Sequence, residues 1–217
     1  MREVLTSCLY PEGGLSTSDL MKSSRMGALG AMLMGSRRGN VDTVPTLNFD
    51  SVLEEYLLLH GYIVRVITSL PAMTGGEDVT IFHLHGYLPS RTGPGRQSED
   101  IKLTKDSFLK MVGDPNHPWR FILRQTVRSK VLLLLGISTD TAIGNALGSI
   151  LSYEAQFLPA DRPSAFWVAA EAPVPEVFET LLAANVVPVT VESHEQIDPF
   201  LLSVCREAAD HMQSAIL

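Results

Sequence analysis

Lys130-Val131-Leu132-Leu133-Leu134-Leu135-Gly136-Ile137 is apolar at nearly every position. A strand covered on both faces of a parallel sheet reads this way, because neither face alternates with water. Downstream, residues 141–157 have helical spacing, and Ala165 to Ala170 repeats the continuous apolar run. Residues 175–184 predict a helix with Pro175 at its start, where proline is tolerated. Residues 186–191 predict a strand whose Pro188 suits an edge, and residues 197–212 a closing helix. Upstream, strands are expected at 41–49, 62–68 and 79–84, the first containing Pro45. Asp50 can cap a helix over 51–60 that stops at Gly61. A short strand at 101–104 leads to a helix that Pro115 and Pro118 interrupt, resuming over 119–128. Strands alternating with helices predict an α/β three-layer sandwich around a mostly parallel sheet.

Residues 1–40 read as a lead-in rich in Ser, Gly and Met. Ser18-Asp19 precedes a periodic apolar stretch, a capped helix weakened by Gly27 and Gly30. Gly35 to Asn40 and Gly93 to Asp100 read as loops. The whole chain of 217 residues fits a single domain, with 41–217 forming the sheet and its helices.

Composition narrows the function. There are 17 Lys and Arg against 24 Asp and Glu, a net charge of −7, so nucleic acid is not an expected partner. Two cysteines, Cys8 and Cys205, exclude a four-cysteine zinc site and indicate reduced, cytoplasmic thiols. No ligand spacing points to a metal. The longest apolar run is far too short to span a membrane, and the first residues lack a signal-peptide layout. No G-x-S-x-G elbow or G-x-x-x-x-G-K-S/T loop occurs, so serine hydrolases and P-loop NTPases lack their core device.

Three segments set polar residues at the ends of apolar runs, where α/β sheets bind ligands. They are Thr46-Leu47-Asn48-Phe49-Asp50, His83-Leu84-His85-Gly86 and Gly136-Ile137-Ser138-Thr139-Asp140. Each has a plain structural explanation. Asn48, Asp50 and Asp140 can cap helices, and a histidine at a strand end is commonly a hydrogen-bonded structural residue.

Taken together, their order and spacing resemble the sirtuin-like superfamily, in its bacterial branch without a zinc ribbon. That branch carries T-x-N-Y/F-D, then I/L-x-H-L/I-H-G, then a strand ending G-F/Y/I-S-x-x-D. Here TLNFD stands at 46–50, FHLHG at 82–86 and LLGISTD at 134–140, with Asp140 one residue early. The resemblance runs from about residue 40 to about 170. It implies a Rossmann-like sheet and NAD as substrate. By position it makes Asn48 and His85 catalytic, Asn48 contacting the nicotinamide-side ribose and His85 serving as general base. It assigns cofactor binding to Thr46, Asp50, Gly86, Gly136, Ser138 and Asp140. Leu47 stands where deacetylating sirtuins carry Gln, and residues 87–100 contain no cysteine for a zinc ribbon.

Enzymes of this type open with a strand and a G-A-G-x-S loop that cradles the pyrophosphate. Gly27-Ala28-Leu29-Gly30-Ala31 lacks a preceding strand and sits in a helical pattern. The family domain is therefore expected to be incomplete at the N-terminus. Another chain, a neighbouring protomer or a longer gene product would supply the rest, and a homo-oligomer or partner chain is expected, with the Met-rich segment 20–34 as contact. Three readings stand. The chain is an NAD-hydrolysing domain of the kind found in bacterial anti-phage defence effectors. It is a catalytically inactive binding or assembly module of that fold. Or it is another α/β hydrolase or binding protein. In a regular strand His83 shares a face with His85, unless the turn after Leu84 separates them; the sequence leaves the role of His83 open.

Overall fold

The computed structural model describes residues 2–10, 15–34, 41–72, 75–91, 101, 106, 110, 113–114, 116–138, 141–159 and 161–214. Asp140, the loops expected at 35–40 and 93–100, and most of the segment 101–113 lie outside the described residues. Chain contacts divide the protein into two compact units, Met1–Lys102 with Asp198–Leu217, and Leu103–Ile197.

The first unit begins with α1 (Arg2–Leu9), α2 (Thr17–Lys22) and α3 (Ser24–Met34). The expected lead-in helix is thus two helices that meet at Ser23. Ser16 caps the first, its hydroxyl accepting from the Asp19 N–H at 3.4 Å. Then follow β1 (Thr43–Thr46), α4 (Val52–Leu59), β2 (Val64–Ile67) and β3 (Val79–His83). The three strands pair in parallel in the order β1-β3-β2. Every residue of β3 is buried, as the central position demands. Leu20, Leu33, Tyr56, Leu57, Val79 and Ile81 form the core. Gly30 has a packing role, since a Cβ there would lie 2.6 Å from Cε1 of Tyr56. Gly61 ends α4 with φ +77, where glycine carries no Cβ penalty. The closing helix α8 (Ile197–Ser214) returns to this unit, where Asp198 accepts from Ser24 Oγ at 2.7 Å and pairs with Arg25.

The second unit contains α5 (Pro118–Ser129), β4 (Leu132–Leu135), α6 (Ala142–Ala155), β5 (Ala165–Ala169), α7 (Pro175–Ala183) and β6 (Val186–Thr190). Its sheet is parallel, in the order β4-β5-β6. Its core joins Val127, Leu134, Leu147, Leu151, Trp167, Leu181 and Val186.

The α/β class, the parallel pairing and all six main strands are as expected, but the six strands form two sheets of three. The apolar run at 130–137 was expected as a strand covered on both faces. Instead one face is incompletely covered, Leu133 being 38% exposed, and among the described residues β4 is an edge of its sheet. An uninterrupted leucine run looks the same at an edge and at a centre, because hydrophobicity does not encode pairing. Proline does encode it. Pro45 and Pro188 have no N–H to donate, and both sit on edge strands.

Arg120, Arg124 and Arg128 read as a solvated helix face, but two of them, partly exposed, also pair with a buried acid. Nε of Arg124 and of Arg128 each lies 2.5 Å from a carboxylate oxygen of the fully buried Glu154. Their guanidinium groups cover the rings of Tyr153 and Phe157 at 5.2 and 5.0 Å.

Candidate functional site

The parallel β1–β3 ladder pairs Thr46 with His83 and continues one hydrogen bond further, Leu84 N–H to Thr46 O at 3.0 Å. The two chains then part. They rejoin where Asp50 bridges Leu88 and the Leu88 N–H donates to Phe49 O at 2.6 Å. Four steps along one chain, Thr46 to Asp50, oppose five along the other, His83 to Leu88. The extra residue makes a bulge-like interval, a device that re-aims side chains beside functional sites. Asn48, His85 and Gly86 all fall within it.

The interval is fastened at both ends. Thr46 Oγ1 accepts from the Asn48 N–H at 3.0 Å, and Asp50 Oδ1 accepts from the Val52 N–H at 3.0 Å. Beyond the rejoining point, the buried Ser51 Oγ accepts from the Ser90 N–H at 2.9 Å, and Ser90 Oγ donates to Glu55. The Asn48 side chain is exposed. Asp50 thus stands one residue before the N-cap Ser51, satisfies the first N–H of α4 and anchors one end of the interval.

His85 lies in the turn that follows β3 and is half-buried. Burial pushes its imidazole below the ordinary value, because desolvation penalises the charged ring. Gly86 has φ +98, a conformation that side chains with a Cβ rarely adopt.

His83 is distinct from His85 in every respect. The strand ends at His83, so the turn separates the two rings. His83 is 1% exposed, with Nδ1 2.8 Å from the Asn48 main-chain oxygen and Nε2 against Oε1 of the equally buried Glu54.

The remaining expected residues belong to the second unit. Gly136 follows β4 with φ +67, and Ser138 is exposed. A Cβ at Gly136 would meet nothing within 4 Å, so its backbone angle, rather than crowding, calls for glycine. Ile137 O accepts from Trp167 Nε1 at 2.8 Å, and Ser138 O accepts from Thr141 Oγ1 at 2.9 Å. Thr141 also caps α6, accepting from the Gly144 N–H at 3.1 Å. Asp140 lies outside the described residues.

Glu54 is a residue that charge patterning misreads. In the first turn of a helix it looks like a dipole-stabilising surface acid. Yet Ser51, Glu54 and Leu57 recur every third residue and are all buried, and that spacing is the signal of its inward face. Tyr10 has no comparable local signal.

Among the described residues, no group of three or more His, Cys, Asp or Glu is arranged to hold a metal, and no helix is long and apolar enough to cross a membrane. No curated protein matches the chain. The family model for the SIR2-like domain matches residues 42–189, more than half of the sequence and inclusive of all three motifs. On the strength of that match, the chain belongs to the SIR2-like domain family.

Proposed function

We propose that the protein binds NAD at the interval between the ends of β1 and β3 and hydrolyses it to nicotinamide and ADP-ribose. SIR2-like domains use NAD, which supports NAD as the ligand. The observation that carries the reading is the bulged interval itself. It leaves an exposed amide, Asn48, and a half-buried imidazole, His85, at the carboxyl ends of adjacent parallel strands.

The chemistry asks little more of the protein. Breaking the ribose–nicotinamide bond sends its electron pair to the pyridinium nitrogen, so nicotinamide leaves neutral. Positive charge develops on the ribose, and water adds to the anomeric carbon. In this reading, neutral His85 takes the proton released by the water or a ribose hydroxyl, a role worth about 10²–10⁴ in rate. Asn48 holds the ribose in reactive geometry. The φ +98 of Gly86 shapes the turn that carries His85. Thr46 and Asp50 act by shaping the loop. For Gly136, Ser138 and Asp140 the cofactor-binding role is what the resemblance of their motif implies. The biological setting proposed is anti-phage defence, by the resemblance of the motifs. Self-association is proposed through α2 and α3, where Met21 and Met34 are 55% and 68% exposed.

Nicotinamide release by the purified protein, paired with calorimetric titration of ADP-ribose, tests the reading. Turnover that His85→Ala removes supports it. ADP-ribose binding without turnover favours an inactive binding module. Absence of both overturns it.

A further inference from the structure

The main chain of Asn48 is gripped on both sides while its side chain stays exposed. Thr46 Oγ1 accepts its N–H, and His83 Nδ1 reaches its carbonyl oxygen at 2.8 Å. A carbonyl oxygen only accepts, so Nδ1 must carry a hydrogen. On the other side of the ring, Nε2 is paired with Oε1 of Glu54. Tyr87, also buried, packs against the imidazole with ring centroids 4.6 Å apart. With both nitrogens engaged and the ring 1% exposed, His83 has no lone pair to offer a substrate.

We propose that His83 is a positioning residue: held by Glu54, it sets the main chain of Asn48 so that the exposed amide is presented to the ligand. This rests on the NAD-site reading above. The physical case is preorganisation. A loop residue whose carbonyl is tied to a buried ring on the central strand pays little ordering cost when ligand arrives. Glu54 prevents the imidazole from flipping or changing tautomer, much as an acid orients a catalytic histidine elsewhere.

Three substitutions separate positioning from bulk stability. The amide nitrogen of glutamine falls near Nε2 of histidine and that of asparagine near Nδ1. His83→Gln therefore retains the Glu54 partner and loses the Asn48 carbonyl. His83→Asn retains a donor to that carbonyl. Glu54→Gln retains a partner that holds the ring. ADP-ribose affinity by calorimetry and amide hydrogen exchange over residues 46–51 are read on each full-length protein. In His83→Gln, affinity is expected to fall at least tenfold and exchange over 46–51 to rise. Glu54→Gln and His83→Asn should remain within about threefold of wild type. If His83→Gln folds and matches wild type in both readouts, the proposal is overturned while the NAD-site reading survives. If His83→Gln does not fold, His83→Asn decides: a tenfold loss of affinity in that folded variant overturns the proposal. If wild type binds no ADP-ribose, the NAD-site reading fails by itself. Exchange over 46–51 then judges the positioning device, unchanged exchange in His83→Gln overturning it and faster exchange sustaining it.

Discussion

The hydroxyl of Tyr10 accepts the backbone N–H of Ser51 at 2.9 Å and donates to the backbone oxygen of Leu88 at 2.6 Å. One buried side chain, at the end of α1, thus closes the two loops that carry Asn48 and His85. Burial raises the phenol above its ordinary value, so the proton needed by Leu88 stays in place.

Tyr10→Phe keeps the ring and strands both backbone groups. An unsatisfied buried donor or acceptor costs about 1–3 kcal/mol. The variant should lose about 2–4 kcal/mol by urea unfolding, and amide exchange at Ser51 should rise. A loss below about 0.5 kcal/mol would show that water replaces the hydroxyl.

Two glycines of α3 should respond with opposite signs to the same change. Replacing helical Gly by Ala gains up to about 1 kcal/mol. At Gly27 a Cβ meets nothing within 4 Å, so Gly27→Ala should raise the melting temperature. At Gly30 the Cβ would sit 2.6 Å from the buried Tyr56 ring, and overpacking costs about 1–3 kcal/mol. Gly30→Ala should therefore lower it. Equal signs in differential scanning calorimetry would refute the close approach of α3 to α4.

These glycines mark where sequence patterning stops. Both weaken the expected helix equally, since propensity is local; what distinguishes them is a ring on another helix. The strands were legible because apolar runs of β-branched, leucine or aromatic residues bounded by turn residues occur at 64–67, 79–83, 132–135, 165–169 and 186–190. Which of them is central was not, because β3 and β4 are both apolar and only pairing separates them. TLNFD and FHLHG mark the ends of β1 and β3, beyond which Asn48, Asp50, His85 and Gly86 follow. The bulge between Thr46–Asp50 and His83–Leu88 was hidden, because register is set across the ladder. The roles of the two histidines were equally hidden, because a turn after one residue decides which ring is buried.

Glu154 offers a test of shared ion pairing. Arg124 and Arg128 each satisfy one of its oxygens from partly exposed positions. Arg124→Ala or Arg128→Ala alone leaves the buried carboxylate one cation. The double variant leaves it none, a situation worth about 3–5 kcal/mol. The double loss in chemical denaturation should exceed the sum of the single losses by at least about 1 kcal/mol. Simple additivity would mean that the arginines contribute through their aromatic contacts alone.

His85 predicts a pH dependence with a defined sign. Its folded value lies below the ordinary 6.5. As pH falls through that ordinary value, the unfolded chain takes up a proton that the folded chain resists. The unfolded state then binds more protons, so stability falls with falling pH until the folded ring also titrates. Above about pH 7 the contribution is absent from the slope. Urea midpoints at pH 7.5 and 5.5 should drop less in His85→Asn than in wild type. An equal drop would assign the dependence to other groups.

The same residue carries the activity prediction. Asn48 is exposed and His85 half-buried, so truncating either removes little core contact. His85→Ala and Asn48→Ala should both melt within a few degrees of wild type. Loss of the base costs about 10²–10⁴ in rate; loss of the ribose contact disturbs the same transition state through geometry. The proposed NAD cleavage should therefore fall at least a hundredfold in each. His83→Ala behaves differently because it abandons the buried Glu54 carboxylate and the Asn48 carbonyl together. It should lower stability by about 3–5 kcal/mol. Its residual folded fraction should also turn over slowly, since the Asn48 loop has lost its anchor. Rates normalised to folded protein, measured below the variant's melting temperature, separate the two effects. Full turnover by folded His85→Ala would remove His85 from the mechanism and leave the interval as a binding site alone.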